Sequence, residues 1–369
     1  MQSCEERMCI FTVILYQFWL FSDKLYNTVD YEVSKKQERH NSEMKIYFAP
    51  LEGITGYIYR NAFHEFFGQG IDKYFTPFLA AAHGGDMKNR SLRDVLPENN
   101  QGLPIVPQIL TNHAEDFTAL RKQLNALGYR EVNLNLGCPY RTVVAKGKGA
   151  GFLAKKEELE AFLDQIFRDC NQGEEISIKT RLGMESPEEF GELLAIYNQF
   201  PVKELTIHPR VQKEFYDGNP DRGIFTQALS DSVNPVCYNG DLFTKEDYLQ
   251  LKTEYPKLKS VMLGRGFLVN PGLLQEIFCD KKLTKNDFTA FHHRLYHDYR
   301  QLMGEDKNTL FKMKELWNYW QYLFEVREEA GIEKHLKKIR KARNGGEYKA
   351  AVNALLGESE IAKFPCFGG

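Results

Sequence analysis

From Lys45 onward, short apolar runs rich in β-branched and aromatic residues recur along the chain. They are KIYFAPLE from Lys45, KYFTPFLA from Lys73, PIVPQILT from Pro104 and EVNLNLGCP from Glu131. ISIKTRLG from Ile176, ELTIHPR from Glu204, PVCYNGDL from Pro235 and SVMLGRGFL from Ser260 complete the set. Near-continuous apolar runs of this length suit parallel strands covered on both faces. Each interval between starts, roughly 25 to 45 residues, has room for one helix and two short loops.

The intervals read as helices. TNHAEDFTALRKQLNALG opens with polar capping residues, sets Phe117, Leu120, Leu124 and Leu127 at helical spacing, and stops at Gly128. SPEEFGELLAIYNQF starts with Ser, Pro and acids, a helix-start pattern. Eight βα units over residues 45–283 predict a (β/α)8 TIM barrel, a fold that takes about 250 residues. A doubly wound open sheet is the competing architecture. Past residue 284 the strand signal stops. Phe291, Leu295, Tyr299 and Leu302 share one helical face; Leu310, Met313, Trp317, Trp320 and Phe324 share another, and a third helix is expected over 332–343. The expected organisation is thus a barrel at 44–283 followed by a small helical domain at 284–369.

The first 43 residues do not join this pattern. CIFTVILYQFWLF, from Cys9 to Phe21, is the most apolar stretch, but its 13 residues fall short of the roughly 20 that a membrane-spanning helix needs. MQSCEERM lacks the basic leader of a signal peptide. We expect residues 1–43 to lie outside the folded domains, as a start site placed too early would produce. An interfacial anchor or accessory helix is the alternative.

Composition narrows the class of protein. With 48 Lys and Arg against 50 Asp and Glu, the formal charge is −2, which excludes a globally basic nucleic-acid coat but leaves room for a local basic patch. The 7 cysteines are scattered without a CxxC pair. That argues against a disulfide framework or a metal site and for reduced thiols in a cytoplasmic protein. A monomer without stable membrane association is expected.

In a barrel, chemistry collects at the carboxyl ends of the strands. Those ends carry Pro50, Leu51 and Glu52, then Gln108, then Asn135 and Cys138, then Lys179 and Arg181. His208 and Arg210 follow, then Asn239, Gly240 and Asp241, and last Gly264, Arg265 and Gly266. Singly, each has an ordinary structural explanation. Together, an amide, a cation, an imidazole and two glycine-bearing termini suit a flat polar cofactor with a phosphate. Gly240, Gly264 and Gly266 would let backbone N–H groups approach phosphate oxygens, with Arg265 adding charge. Neither a G-x-G-x-x-G fingerprint at these strands nor a Walker A sequence is present.

With APLEGIT at 49–55, NLNLGCPYRTVVAKGKGAG at 133–151, SIKTRLG at 177–183, LTIHPR at 205–210, YNGD at 238–241 and VMLGRG at 261–266, the chain resembles the tRNA-dihydrouridine synthase family. The resemblance runs from Met44 to the carboxyl end. NLGCP followed by the KGKGAG loop is its most specific part. It implies an FMN enzyme, reduced by NADPH, that converts particular uridines of tRNA to 5,6-dihydrouridine. Carried over by residue, Pro50, Leu51 and Glu52 would line the flavin, Gln108 would bond its ring, and Lys179 and His208 would hold the flavin and its ribityl chain. Asn239, Gly240, Asp241, Gly264 and Arg265 would bind the ribityl–phosphate tail. Asn135 would face the uracil and Cys138 would be the acid. Leu51 stands where the family usually has Met, and HPRVQKEFYDG departs from the commoner glycine after the histidine.

The assigned chemistry needs hydride at uracil carbon 6 and a proton at carbon 5 from the opposite side. A thiol with an ordinary pKa of about 8.5 is protonated at neutral pH. KHLKKIRKAR, from Lys334 to Arg343, holds six bases and no acid. On a helix, Leu336 and Ile339 would face inward while Lys337, Lys338, Arg340 and Lys341 face phosphates. Lys146 and Lys148 add charge beside the expected active site. A barrel reductase for a small metabolite would explain the flavin features but not this basic segment. A non-catalytic RNA-binding relict would explain the segment but not Cys138, Lys179 and His208.

Overall fold

The computed structural model describes residues 44–81, 92–304, 306–326 and 332–362. Residues 1–43, with the expectation attached to them, lie outside the described part. Nine short parallel strands form one sheet: β1 (Lys45–Phe48), β2 (Lys73–Phe75), β3 (Ile105–Val106), β4 (Gln108–Ile109), β5 (Glu131–Leu136), β6 (Glu175–Arg181), β7 (Leu205–His208), β8 (Val236–Tyr238) and β9 (Ser260–Leu263). β1 pairs with both β2 and β9, β2 with β3, and β4 with β5 through to β9, so the sheet curls into a near-closed barrel. Every apolar run picked out above carries a strand. The one difference is PIVPQILT, expected as one strand and found as two. Pro107 has no N–H to donate and interrupts the ladder, though its carbonyl still accepts from Asn133 N at 2.8 Å.

The helix signals also hold. Helix Ala114–Ala126 buries Phe117, Leu120 and Leu124, and Gly128 follows with a positive φ of 97°, a conformation that favours glycine. Ser186 and Glu189 form a reciprocal capping box ahead of helix Phe190–Tyr197, with Pro187 at the first position. Inside the barrel, Tyr47, Ala49, Phe75, Val106, Cys237 and Met262 pack into one buried cluster.

After the barrel come helices Lys285–Met303, Asp306–Trp320, Glu333–Lys341 and Gly345–Glu358. The described residues from Lys45 onward form one compact unit. Phe291 helps explain why: its ring meets Tyr59 at 5.7 Å and Phe67 at 5.2 Å between centroids, locking helix Lys285–Met303 onto helix Tyr57–Phe66 and its end. Burying such a ring is worth roughly 1.5–3 kcal/mol.

Three expectations for this region need correction. Leu302 is 40% exposed, in the last turn of a helix that ends one residue later. Phe324 is buried as expected but belongs to β10 (Phe324–Val326), which pairs antiparallel with β11 (Ser359–Ile361). The strand signal therefore does not end at residue 284. The basic helix stops at Lys341, and Asn344 caps a further helix that the apolar pattern did not reveal. No described helix is long and apolar enough to cross a membrane.

Candidate active site

Parallel strands deliver alternate side chains to the barrel interior, and register decides which of them meet. Asn135 pairs with Lys179 across β5 and β6, and Arg181 pairs with His208 across β6 and β7. Just beyond these strand ends lies a pocket of about 530 Å³. Pro50, Leu51, Glu52, Gln108, Asn135, Cys138, Lys179, Arg181, His208 and Arg265 line it, so ten of the residues singled out from the sequence converge on one place.

A chain of amides sets the floor. Asn135 Nδ2 donates to Gln108 Oε1 at 2.7 Å, Gln108 Nε2 to Asn133 Oδ1 at 2.8 Å, and Asn133 Nδ2 to Ser177 Oγ at 2.9 Å. Asn135 Oδ1 then accepts the backbone N–H groups of Gly137 at 3.0 Å and Cys138 at 2.9 Å. Asn135 therefore orients the turn that presents Cys138. Arg181 holds the same turn from the other side. Its Nε donates to Gly137 O at 3.0 Å, while Nη1 and Nη2 donate to Val211 O at 2.9 Å and Phe215 O at 2.5 Å. One buried guanidinium thus ties the loop after β5 to the loop after β7. Phe215 takes a φ of 49°, unusual for a residue with a side chain, and its carbonyl is one of those Arg181 holds.

The electrostatics follow from burial and from crowded cations. Burial pushes the Cys138 thiol up, outweighing a hydrogen bond from the Tyr140 backbone, so it stays protonated at neutral pH. Burial and then the neighbouring Arg181 pull Lys179 down to about 7. Its ammonium opens onto the pocket and makes no hydrogen bond or ion pair with a described residue. His208 is driven well below its ordinary range by burial, then by Arg181, Lys179, Arg210 and Arg265, and is neutral. Arg210 Nη1 lies 3.1 Å from His208 Nε2. A guanidinium only donates, so Nε2 accepts and Nδ1 carries the proton.

Asp241 bridges Arg210 and Arg265, and its carboxylate is thereby spent on positioning two guanidiniums. Asn239 Nδ2 donates to Met262 O at 2.8 Å, outside the pocket lining. The glycines also have a packing reason. A Cβ at Gly240 would collide with the Tyr238 ring, at Gly266 with Leu242 O, and at Gly264 it would press on Ala49 and Leu51. Packing of the chain on itself demands glycine at Gly240 and Gly266. Lys146 is exposed and Lys148 half-buried, both off the pocket lining, and Lys337, Lys338, Arg340 and Lys341 are exposed on the basic helix. Leu336 and Ile339 are buried beneath them.

Several lining residues were not singled out beforehand. Tyr216 sits with its ring over Arg265 at 4.5 Å and edge-on to His208 at 6.0 Å. Glu315, Asn318 and Tyr319 reach the mouth from helix Asp306–Trp320. Their spacing marks the face opposite the buried stripe Met313, Trp317 and Trp320, a polar helical face that periodicity exposes but does not assign. Lys312 Nζ bonds Gly53 O at 2.6 Å and Glu315 at 2.9 Å, bracing this helix against the loop after β1. Among the described residues no group of His, Cys, Asp and Glu is placed to hold a metal ion.

The family model described as dihydrouridine synthase (Dus) matches residues 47–355, which takes in the strands, the pocket and the helices behind it. The chain belongs to the dihydrouridine synthase family. A tRNA-dihydrouridine(16) synthase of Neisseria meningitidis serogroup B is 28% identical over 252 residues, 66% of this chain and 74% of that protein. A probable tRNA-dihydrouridine synthase of Staphylococcus aureus is 27% identical over 265 residues, 69% of this chain and 77% of the relative. Among solved structures, morphinone reductase in complex with tetrahydroNAD aligns with a TM-score of 0.46 at 10% identity, covering 67% of this chain and 90% of that one. For a dihydrouridine synthase, the cysteine, lysine and histidine of the fourth, fifth and sixth apolar runs thus share one pocket.

Proposed function

We propose that the protein reduces specific uridines of tRNA to 5,6-dihydrouridine, with FMN as resident cofactor and NADPH as the reductant that restores it. The observation carrying this reading is a protonated Cys138 thiol lining the same pocket as Lys179 and His208 in a chain of this family. Counting β3 and β4 as one strand broken at Pro107, we read the barrel as eightfold, with residues 44–283 holding FMN and 284–369 engaging tRNA. The protein is read as a cytoplasmic monomer.

The pocket's donor set fits a flavin phosphate. A Lys179 ammonium with no partner among the described residues, a neutral His208 and Arg265 at the rim offer donors for an anionic ring, a ribityl chain and a phosphate. Held by these residues, FMN would supply the hydride chemistry. The protein's own part is acid catalysis and positioning. Cys138 gives its proton to carbon 5, and the thiolate regains one from solvent. Asn135 and Arg181 fix the turn that aims the sulfur. The target base must leave its stack to enter a pocket of this size.

Mapping of modified nucleosides in tRNA from cells with and without the protein tests the activity. Loss of dihydrouridine at a defined position is expected; an unchanged pattern overturns the reading. Neutralising Lys337, Lys338, Arg340 and Lys341 together should weaken tRNA binding and reduce the salt slope by about one for each phosphate no longer neutralised.

A further inference from the structure

Among the described residues, the exposed aromatic side chains are Tyr140 at 54%, Phe311 at 60% and Tyr216 at 37%. A single exposed ring is ordinary. These three are not scattered. Tyr140 and Tyr216 both line the pocket, and Tyr140 stands two residues beyond Cys138. Phe311 lies four residues before Glu315 on helix Asp306–Trp320, so it shares the face that lines the mouth and stands about 6 Å further out along the axis. Tyr216 is already engaged with Arg265 and His208. Tyr140 and Phe311 face no other ring among the described residues.

Resting on the tRNA reading, we propose that Tyr140 and Phe311 are stacking platforms for the unpaired nucleobases that flank the reduced uridine. A flat ring left in water beside cations is the chemistry that recognises single-stranded nucleic acid: the face takes a base while the charge takes a phosphate. The Lys312 ammonium lies over the Phe311 ring at 5.5 Å, and exposed Lys307 is one turn back on the same face. Tyr140 opens the short helix Arg141–Val144, with Lys146 and Lys148 just beyond. Two platforms on opposite sides of the sequence, one from the barrel and one from the helical region, would hold the neighbours of an extruded base and keep it from restacking.

Binding of an unmodified tRNA transcript to the full-length, FMN-loaded protein tests this. Tyr140→Ala and Phe311→Ala should each raise Kd about fivefold or more and leave the salt slope unaltered, because a ring releases no counterion. Tyr140→Phe and Phe311→Trp, which keep the platform, should bind like the parent protein. Flavin content and melting temperature of each variant separate lost stacking from lost fold. Parental affinity in both alanine variants would overturn the platforms while leaving tRNA as substrate. Absence of salt-dependent tRNA binding by the parent protein would overturn both.

Discussion

The two ends of the barrel treat buried charge in opposite ways. At the amino end, Glu204 is 8% exposed, and its Oε1 accepts from Ser260 Oγ at 2.6 Å and Tyr47 Oη at 3.2 Å. Lys73 bonds Glu131 at 2.6 Å and faces Glu204 at 4.0 Å. Acids and donors there answer one another across four strands. At the carboxyl end, Lys179, Arg181, Arg210 and Arg265 crowd round a neutral His208, and Asp241 serves two of the guanidiniums. Among the described residues, the Lys179 ammonium is left over. At the amino end the fold pairs most of its polar groups internally; at the carboxyl end it leaves a cation uncommitted beside the pocket.

The sharpest break of this contrast is at the open end. Cys138→Ala should lower uridine reduction by about two orders of magnitude or more while bound flavin is retained, read by single-turnover reduction of tRNA and flavin absorbance. Turnover at the parental rate would remove the thiol as acid. Lys179 comes next. Because it sits at about 7 before any anion arrives, affinity for flavin should fall as pH rises above neutrality, and Lys179→Met should bind more weakly without that slope. Fluorescence titration across neutral pH checks it; parallel pH profiles would refute the lysine's part.

The smallest effect belongs to the closed end. Burial raises the Glu204 carboxyl above its ordinary value, against the help of Ser260, Lys73 and Tyr47. A raised folded-state pKa means stability that is full below the unfolded value of about 4.3 and is lost as pH rises through the folded one. Glu204→Gln should therefore flatten the fall in stability with rising pH. Urea unfolding on either side of the transition reads it. A variant whose pH profile runs parallel to its parent's would show that the Glu204 carboxyl does not titrate in folding.

Much of this was legible in the residues because apolar runs and strand-end polarity are local signals. All the barrel strands and ten of the lining residues are marked by them. The split at Pro107 follows from a rule about one residue, yet the run around it still reads as a strand. What local pattern cannot supply is partnership across distance. Arg181 is visible in RLG, but its acceptors lie on two loops far away in sequence. Asp241 sits in a turn-like NGD, and only folding brings two arginines to it. Gly240 and Gly266 read from sequence as places of close approach, and only the fold shows that Tyr238 and Leu242 are among what approaches. Glu315, Asn318 and Tyr319 were passed over because a polar helical face is usually just solvated.

The Lys312 ammonium on the Gly53 carbonyl has a consequence for how such proteins diversify. A helical segment that merely hung from the barrel could be exchanged between relatives as a cassette, carrying its preference with it. Here the cassette's own lysine shores up the rim of the catalytic cup, so a transplant would have to bring the first loop along or leave that rim slack.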